Sequence, residues 1–223
     1  MDVNFKYKIS NDAFSKFAEV LNNFKLPGID SQLKMAPEKR KNEIRMPAIN
    51  IDTKKNAVLF LLYPKKENIF TVLIQRKQYD GVHGGQISFP GGRIEENETL
   101  EQTAKRETFE EIGLDVEKIE IIGQLTNLYI PPSNNLVYPF VGYVNETPRF
   151  VADGLEVSEI LEIDLNFFFN EKNIESKWID FKNQPSMKVP CFVYDDKIIW
   201  GATAMIIMEF VDLISKHNLA KDF

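Results

Sequence analysis

Cysteine is almost absent from the sequence, because the 223 residues contain only one, at position 191. A single cysteine excludes a framework of disulfides within the chain and suits a reducing compartment. Cys191 lies in an apolar stretch and is followed by Asp195 and Asp196, whose negative charges do not favour a thiolate. We therefore expect Cys191 to pack inside the protein rather than to act as a nucleophile.

Long apolar runs are also absent, because no stretch reaches the roughly 18 residues that a transmembrane helix needs. The N-terminus, MDVNFKYKIS, lacks the apolar segment of a signal peptide. The formal net charge is −6 and the isoelectric point is about 5.2, which disfavours a nucleic acid as the main partner. These absences predict a cytoplasmic protein that binds neither membranes nor nucleic acids.

The hydrophobic content, 43%, is sufficient for one sizeable core. We predict one large domain at residues 51–223 and an N-terminal extension at residues 1–50 that packs on it. Apolar residues at helical spacing predict an amphipathic helix over 11–26 in this extension. A basic run follows at Lys39–Lys41. Such a run is typical of a solvated loop or short helix, and the alternative is a lid that meets an anionic substrate.

Strands outnumber helices in the apolar pattern of the remaining chain. Two apolar runs, 56–63 and 69–76, predict a buried strand pair joined by a tight turn. Further strands are predicted at 86–89, 119–130, 136–144 and 156–163, with a hairpin at 188–200 and a last helix at 202–216. Pro139 indicates a sheet edge or a bulge. Because helices flank the strands in sequence, we predict an α/β fold with a mixed β-sheet covered on both faces, an α/β/α sandwich.

The most informative stretch is GGQISFPGGRIEENETLEQTAKRETFEEIGL, residues 84–114. Its second half fits the spacing G-x5-E-x7-R-E-U-x-E-E-x-G-U, where U is a bulky apolar residue. Thr108 stands at the first U position. The other fixed positions are filled by Gly92, Glu98, Arg106, Glu107, Glu110, Glu111, Gly113 and Leu114.

The acidic part of this stretch predicts a capped helix with a cation-binding face. Thr99 and Gln102 form a capping-box pattern and Gly113 stands at the expected C-cap, so we predict about three helical turns between them. At about 100° per residue, the three glutamates at 107, 110 and 111 lie within an arc of about 100° that apolar residues share. A solvated acidic face is the ordinary interpretation. Semi-buried carboxylates, however, repel one another and need a cation, and Mg²⁺ or Mn²⁺ meets that need.

These residues resemble the Nudix box, and the family in which it occurs cuts a diphosphate linked to a further moiety. The resemblance implies an α/β/α sandwich and a divalent metal ion that lowers the pKa of an attacking water. We expect Glu107 and Glu111, with Glu110 as a further ligand, to hold this metal. Gly91–Gly92 allows close approach of the backbone, so the Gly91 carbonyl is expected to complete the ligand set.

The same resemblance leaves the general base open between Glu110 and Glu156, each of which could accept the proton of the water. Arg106 is expected to orient the glutamates through charge-assisted hydrogen bonds. Glu98, which precedes the main cluster, is expected to hold the loop or a water molecule.

The sequence before the box, LIQRKQYDGVHGGQISFPGG at 73–92, resembles a pattern that precedes it in coenzyme A diphosphatases. Lys77 and Asp80 depart from that pattern. The matching residues are Leu73, Arg76, His83, Gly85, Ile87, Phe89, Pro90, Gly91 and Gly92. Segments downstream extend the similarity over roughly residues 56 to 214.

This second resemblance implies that four residues bind substrate: Arg76, His83, Gln86 and Phe89. Each has a plainer alternative. His83 is more often a hydrogen-bonded structural group, and Arg76 could be a surface charge. Phe89 is expected in the core rather than as a stacking platform.

The resulting hypothesis is a coenzyme A diphosphatase that releases 3′,5′-ADP and 4′-phosphopantetheine or its acyl derivative. One alternative is a hydrolase of another nucleoside diphosphate derivative, such as ADP-ribose or NADH. Another is a non-catalytic module that binds a nucleotide, although the box acids are all present. The oligomeric state is open, with a homodimer as one possibility.

Overall fold

The computed structural model describes residues 3–78, 84–181 and 184–220. Within these ranges, the helices are α1 Val3–Asn23, α2 Ile29–Gln32, α3 Lys41–Arg45, α4 Leu100–Ile112 and α5 Gly201–Lys216. The strands are β1 Lys54–Lys65, β2 Asn68–Arg76, β3 Ile87–Ser88, β4 Gly91–Arg93, β5 Glu120–Gln124, β6 Leu128–Ile130, β7 Asn135–Tyr143, β8 Val157–Asp164, β9 Ile174–Phe181, β10 Gln184–Tyr194 and β11 Lys197–Trp200.

The main sheet is mixed and is built around β1. Its principal order is β3-β2-β1-β7-β5. In addition, β4 pairs with β1, β6 pairs with β7 and β8 pairs with β2. Strands β1 and β7 are parallel, whereas the other pairs in this sheet are antiparallel. Residues 59–63 of β1 are all buried, which explains why this strand is a continuous apolar run rather than an alternating one.

Helices cover both faces of this sheet, as predicted for an α/β/α sandwich. Phe60 and Leu62 of β1 belong to a core that includes α1 and α5. Leu59 and Leu61 point to the opposite face, in a second core that includes Ala104 of α4. The alternation of side chains along one strand therefore builds both cores, and the predicted fold class is confirmed.

Helix α4 begins and ends where its capping residues predict. Thr99 accepts a hydrogen bond from the Gln102 N–H, and the Gln102 side chain accepts one from the Thr99 N–H, which completes the capping box. Gly113 adopts the left-handed conformation, with φ of 69°, and its N–H donates to the Phe109 carbonyl. Both ends of the helix that carries the box glutamates are thus specified locally.

The N-terminal extension packs into one of these cores. Phe14 and Phe17 of α1 are buried, and the Phe17 ring lies 6.0 Å from the ring of Phe210 in α5. Helix α1 begins at Val3, before the predicted position, because its apolar spacing marks the buried face rather than the start. Among the described helices, none is both long and apolar enough to cross a membrane.

Two strand predictions were wrong in detail. The stretch 119–130 forms two short strands, β5 and β6, which pair in succession with β7. Pro139 lies inside β7 rather than at a sheet edge, opposite the break between β5 and β6. This break explains how a central strand tolerates a residue that has no N–H to donate.

A separate three-stranded sheet was not predicted. Strands β10 and β11 form the predicted hairpin, and β9 pairs with β10 on the other side. The sequence of β9, IESKWIDF, lacks an apolar alternation, and Trp178 in it is 69% exposed. Cys191 lies buried in β10, and burial raises the pKa of its thiol, as expected for a packing role.

Candidate active site

The three glutamates of α4 lie at different depths. The side chain of Glu111 is 4% exposed, that of Glu107 is 18% exposed and that of Glu110 is 53% exposed. The shared arc predicted from helical geometry therefore runs from the core to the solvent. Glu111 and Glu107 are the two that face the interior of the site.

The glycine pair lies directly against these two carboxylates. The Gly91 N–H donates a 2.8 Å hydrogen bond to Glu111 Oε2, and Gly91 adopts a φ of 152°. A Cβ on Gly91 would lie 2.4 Å from the Ala57 carbonyl oxygen. A Cβ on Gly92 would lie 2.2 Å from Glu107 Oε1. Only residues without a side chain allow β4 to approach both β1 and α4 so closely.

Arg106 holds the outer side of the cluster. Its Nη1 donates to Glu107 Oε1 at 3.0 Å and to Glu110 Oε2 at 2.9 Å. Its Nε and Nη2 donate to Glu98 at 3.1 and 2.9 Å. The bonds from Arg106 lower the pKa of Glu98 to about 2, and Glu98 also accepts bonds from the Glu95 N–H and the Thr103 hydroxyl.

Arg76 of β2 contacts the inner side. Its Nη2 donates to the Gly91 carbonyl at 3.0 Å and to Glu111 Oε1 at 3.3 Å, and its Nη1 lies 3.7 Å from Glu156 Oε2. The structure thus brings Arg76, Gly91, Glu111 and Glu156 together. Arg76 places its positive charge against the Gly91 carbonyl and the Glu111 carboxylate, which were both predicted to bind a metal ion.

Burial makes these carboxylates harder to ionise. It raises the pKa of Glu111 to about 7, although Arg76 and the Gly91 N–H act in the opposite direction. Burial also raises the pKa of Glu107, against the effect of Arg106. The carboxylate and carbonyl oxygens fit a hard divalent cation, which would favour the ionised form of both acids.

Arg76 and Arg106 occupy oxygens of the acids that would otherwise be open to a metal ion. Within residues 3–78, 84–181 and 184–220, no three acidic, histidine or cysteine side chains are arranged to hold a metal ion. The Glu107 and Glu111 carboxylates and the Gly91 carbonyl nevertheless offer the oxygen donors that such an ion takes. Binding would require Arg76 and Arg106 to share these oxygens with the ion.

A cleft of about 1120 Å³ opens beside these residues. One end contains Arg76, Gly91, Gly92, Glu107 and Glu156. The remainder is largely apolar and is lined by β6, β7 and α5, including Leu128, Ile130, Val137, Met205 and Ile206. Glu110 is held by Arg106 on the solvent side of α4, and neither Glu110 nor the buried Glu111 lines this cleft.

The predicted substrate-binding residues have different positions. Arg76 and Gln86 line the cleft. Phe89 also lines it, yet Phe89 is 2% exposed and its ring lies 4.7 Å from that of Phe60, so it is a core residue that forms the cleft wall. His83 falls outside the described residues.

Three neutral polar residues in the cleft wall were missed in the sequence analysis. Asn56, Ser88 and Asn135 line the cleft, and each has a buried oxygen without a hydrogen-bond partner among the described residues. Buried polar atoms of this kind usually bind water or a ligand. A polar side chain at the start of an apolar strand, as at Asn56 and Asn135, was the available signal.

Comparison with known proteins supports the interpretation of the box. The NUDIX domain model matches residues 53–180, which is more than half of the chain. Nudix hydrolase 3 of Caenorhabditis elegans is 26% identical over 205 residues, covering 79% of this chain and 83% of that protein. The uncharacterised Nudix hydrolase NudL of Pectobacterium atrosepticum is 31% identical over 151 residues, covering 65% of this chain and 76% of that protein.

A solved structure supports the fold. The MutT/nudix family protein from Enterococcus faecalis superimposes with a TM-score of 0.52 at 16% identity, covering 87% of this chain and 76% of that chain. The matched residues include the capped acidic helix and the glycine pair that lies against its carboxylates. The chain therefore belongs to the Nudix hydrolase family, whose members act on pyrophosphate bonds in phosphorus-containing compounds.

Proposed function

We propose that the protein hydrolyses the diphosphate of coenzyme A or acyl-coenzyme A to 3′,5′-ADP and 4′-phosphopantetheine or its acyl derivative. The observation that carries this proposal is the position of the pattern at 73–92, which resembles the one in coenzyme A diphosphatases. Arg76, Phe89 and Gly91 of this pattern line the same cleft as Glu107 of the box. The residues that suggest a substrate thus lie beside the residues that suggest the reaction.

The size and lining of the cleft support a large, partly apolar substrate. Its volume of about 1120 Å³ slightly exceeds the range of roughly 300–1,000 Å³ that is typical of small-molecule pockets. With a divalent cation on its carboxylates, the charged end would suit a diphosphate. The apolar part, with Leu128, Met205 and Ile206, suits a long arm such as pantetheine with an acyl group.

Glu107, Glu111 and the Gly91 carbonyl would hold Mg²⁺ or Mn²⁺, and Glu110 would join them by turning away from Arg106. The ion, when bound, neutralises diphosphate charge and makes a water more acidic. Arg106 restrains Glu107 through its 3.0 Å hydrogen bond. Arg76 lies in the cleft, where its guanidinium can pair with a phosphate oxygen.

We propose Glu156 rather than Glu110 as the general base. Glu156 lines the cleft, and its side chain is 68% exposed, so a water molecule can reach it. Glu110 is bound to Arg106 at 2.9 Å outside the cleft. A carboxylate at the position of Glu156 can accept the proton of an attacking water and pass it to solvent.

A substrate panel tests the proposal. Coenzyme A, acetyl-coenzyme A, ADP-ribose and NADH are incubated separately with the protein and Mg²⁺ or Mn²⁺, and the products are identified by mass. We expect 3′,5′-ADP from the first two substrates at the highest kcat/KM. A higher kcat/KM for ADP-ribose or NADH would show that the substrate is another nucleoside diphosphate derivative. Binding without turnover of any of the four would instead indicate a non-catalytic module.

The compartment and partners follow from this proposal. The substrate is a small molecule, and a reducing compartment such as the cytoplasm suits the single cysteine, which is buried. Size-exclusion chromatography with light scattering would separate a monomer from the homodimer considered in the sequence analysis.

A further inference from the structure

The basic run of the N-terminal extension forms part of the cleft wall. Residues Glu38–Arg40 form a short 3-10 helix that continues directly into α3. Pro37, Arg40 and Ile44 of this segment line the main cleft. Ile44 is 6% exposed and belongs to the core, so it fixes the segment in place.

A second cavity, of about 340 Å³, adjoins the main cleft at this wall. We call it the basic side pocket and define it by Lys39, Arg40, Glu43, Pro131, Pro132 and Met187. Arg40, Pro131 and Pro132 line both cavities. An anion in the side pocket would therefore lie next to a ligand in the cleft.

The charge of the side pocket is positive overall. It contains two cationic side chains, Lys39 and Arg40, and one anionic side chain, Glu43. Glu43 Oε2 lies 3.9 Å from Arg40 Nη1, so this acid offsets part of the positive charge. The Glu43 side chain is also 56% exposed, so water screens its charge.

We propose that the basic side pocket binds a phosphate monoester that the substrate carries on its ribose, beside the diphosphate. This inference rests on the proposed function, because coenzyme A has such a 3′-phosphate, whereas ADP-ribose and NADH have none. A guanidinium and an ammonium together suit a terminal phosphate. Lys39 and Arg40 are thus specificity-determining residues.

Lys41 provides a matched control in the same segment. It carries the same charge but pairs with Glu38 at 2.7 Å and lines neither cavity. A solvated basic face would give all three cations the same small effect on turnover. If the pocket binds the phosphate, substitution of Lys39 and Arg40 should change substrate preference, whereas substitution of Lys41 should not.

The first experiment compares coenzyme A with dephospho-coenzyme A, which lacks only the 3′-phosphate. We expect the wild-type protein to prefer coenzyme A by about tenfold or more in kcat/KM, which corresponds to about 1.4 kcal/mol. The double variant Lys39→Gln/Arg40→Gln should reduce this preference to about twofold, whereas Lys41→Gln should retain it. Arg40→Lys keeps the charge and should retain most of it. A preference that is the same in the wild type and the double variant would overturn the inference while leaving the proposed function intact.

The second experiment measures binding without turnover. Isothermal titration calorimetry with 3′,5′-ADP and with 5′-AMP should give a Kd about tenfold lower for 3′,5′-ADP in the wild type. Equal affinities for the two nucleotides would overturn the proposed phosphate site, whether or not the protein hydrolyses coenzyme A. A protein that hydrolyses no coenzyme A, yet binds 3′,5′-ADP more tightly and loses this difference in the double variant, would contradict the proposed function and support the pocket.

Discussion

The end of the cleft beside Glu107 and Glu111, which we call the carboxylate end, and the basic side pocket differ in the burial of their acidic side chains. At the carboxylate end, Glu107 and Glu111 are fixed by Arg106, Arg76 and the Gly91 N–H. In the basic side pocket, the one acidic side chain, Glu43, is 56% exposed and lies 3.9 Å from Arg40. Catalytic groups need a fixed geometry, whereas a remote phosphate needs mainly positive charge. We therefore assign the reaction to the first region and the choice of substrate to the second.

The largest effect is expected from Glu111→Gln at the carboxylate end. This substitution keeps the shape of the side chain but removes the charge that we expect to bind the metal ion. It should lower kcat on the order of 1000-fold with little change in Tm. Glu101→Gln on the exposed side of the same helix is the control and should keep the activity. Near-normal, metal-dependent turnover by Glu111→Gln would remove Glu111 from the ligand set.

A smaller loss is expected from Gly92→Ala. The new Cβ would lie 2.2 Å from Glu107 Oε1 and would displace that carboxylate. We expect kcat to fall about 100-fold, because a shift of about 1 Å in a positioning group costs this much. The measurement is steady-state turnover together with Tm. An active Gly92→Ala protein would indicate that Glu107 can move without consequence.

The third prediction concerns the stability of the carboxylate end against pH. The pKa of Glu98 is lowered from 4.5 to about 2, so its carboxylate contributes stability above about pH 4.5 and loses it as the pH falls towards 2. Between pH 6 and pH 3, the Tm of the wild type should therefore fall by about 3 °C more than that of Glu98→Gln. Glu101→Gln should behave like the wild type. Equal decreases in all three proteins would contradict the strong attachment of Glu98 to Arg106.

The smallest expected effect is that of salt on the preference for coenzyme A, which tests the charge of the side pocket. Because Lys39 is exposed, added salt should weaken the attraction of the pocket for a phosphate. The preference for coenzyme A over dephospho-coenzyme A should fall about twofold to threefold between about 50 and 300 mM NaCl. In Lys39→Gln/Arg40→Gln, the preference should not change with salt. A wild-type preference that is independent of salt would argue against electrostatic binding there.

The predictions that the structure confirmed depend on neighbouring residues. Thr99, Gln102 and Gly113 specify the ends of α4 because capping involves contacts within a few residues. Strand β9 was not predicted, because its polar sequence becomes a strand only by pairing with β10. The prediction of a sheet edge at Pro139 was wrong, because the successive pairing of β5 and β6 with β7 decides where this proline is tolerated.

The candidate site likewise combines features that local sequence predicts with contacts that only the fold determines. Helical spacing places Glu107, Glu110 and Glu111 close together, but it does not say which of them is buried. Glu111 is buried against Gly91 of β4, whereas Arg106 holds Glu110 on the solvent side. Arg76 meets the carboxylates because β1 pairs with both β2 and β4, which joins residues far apart in sequence.

The sequence by itself determined the acidic helix, its caps, the glycine pair and the family to which the chain belongs, because these features depend on residue types at short spacing. Only the tertiary structure decided that Arg76 contacts Glu111 and Glu156, and that Arg40 of the extension lines the cleft. Contacts between distant segments follow from strand pairing and core packing, which join residues that no local pattern connects.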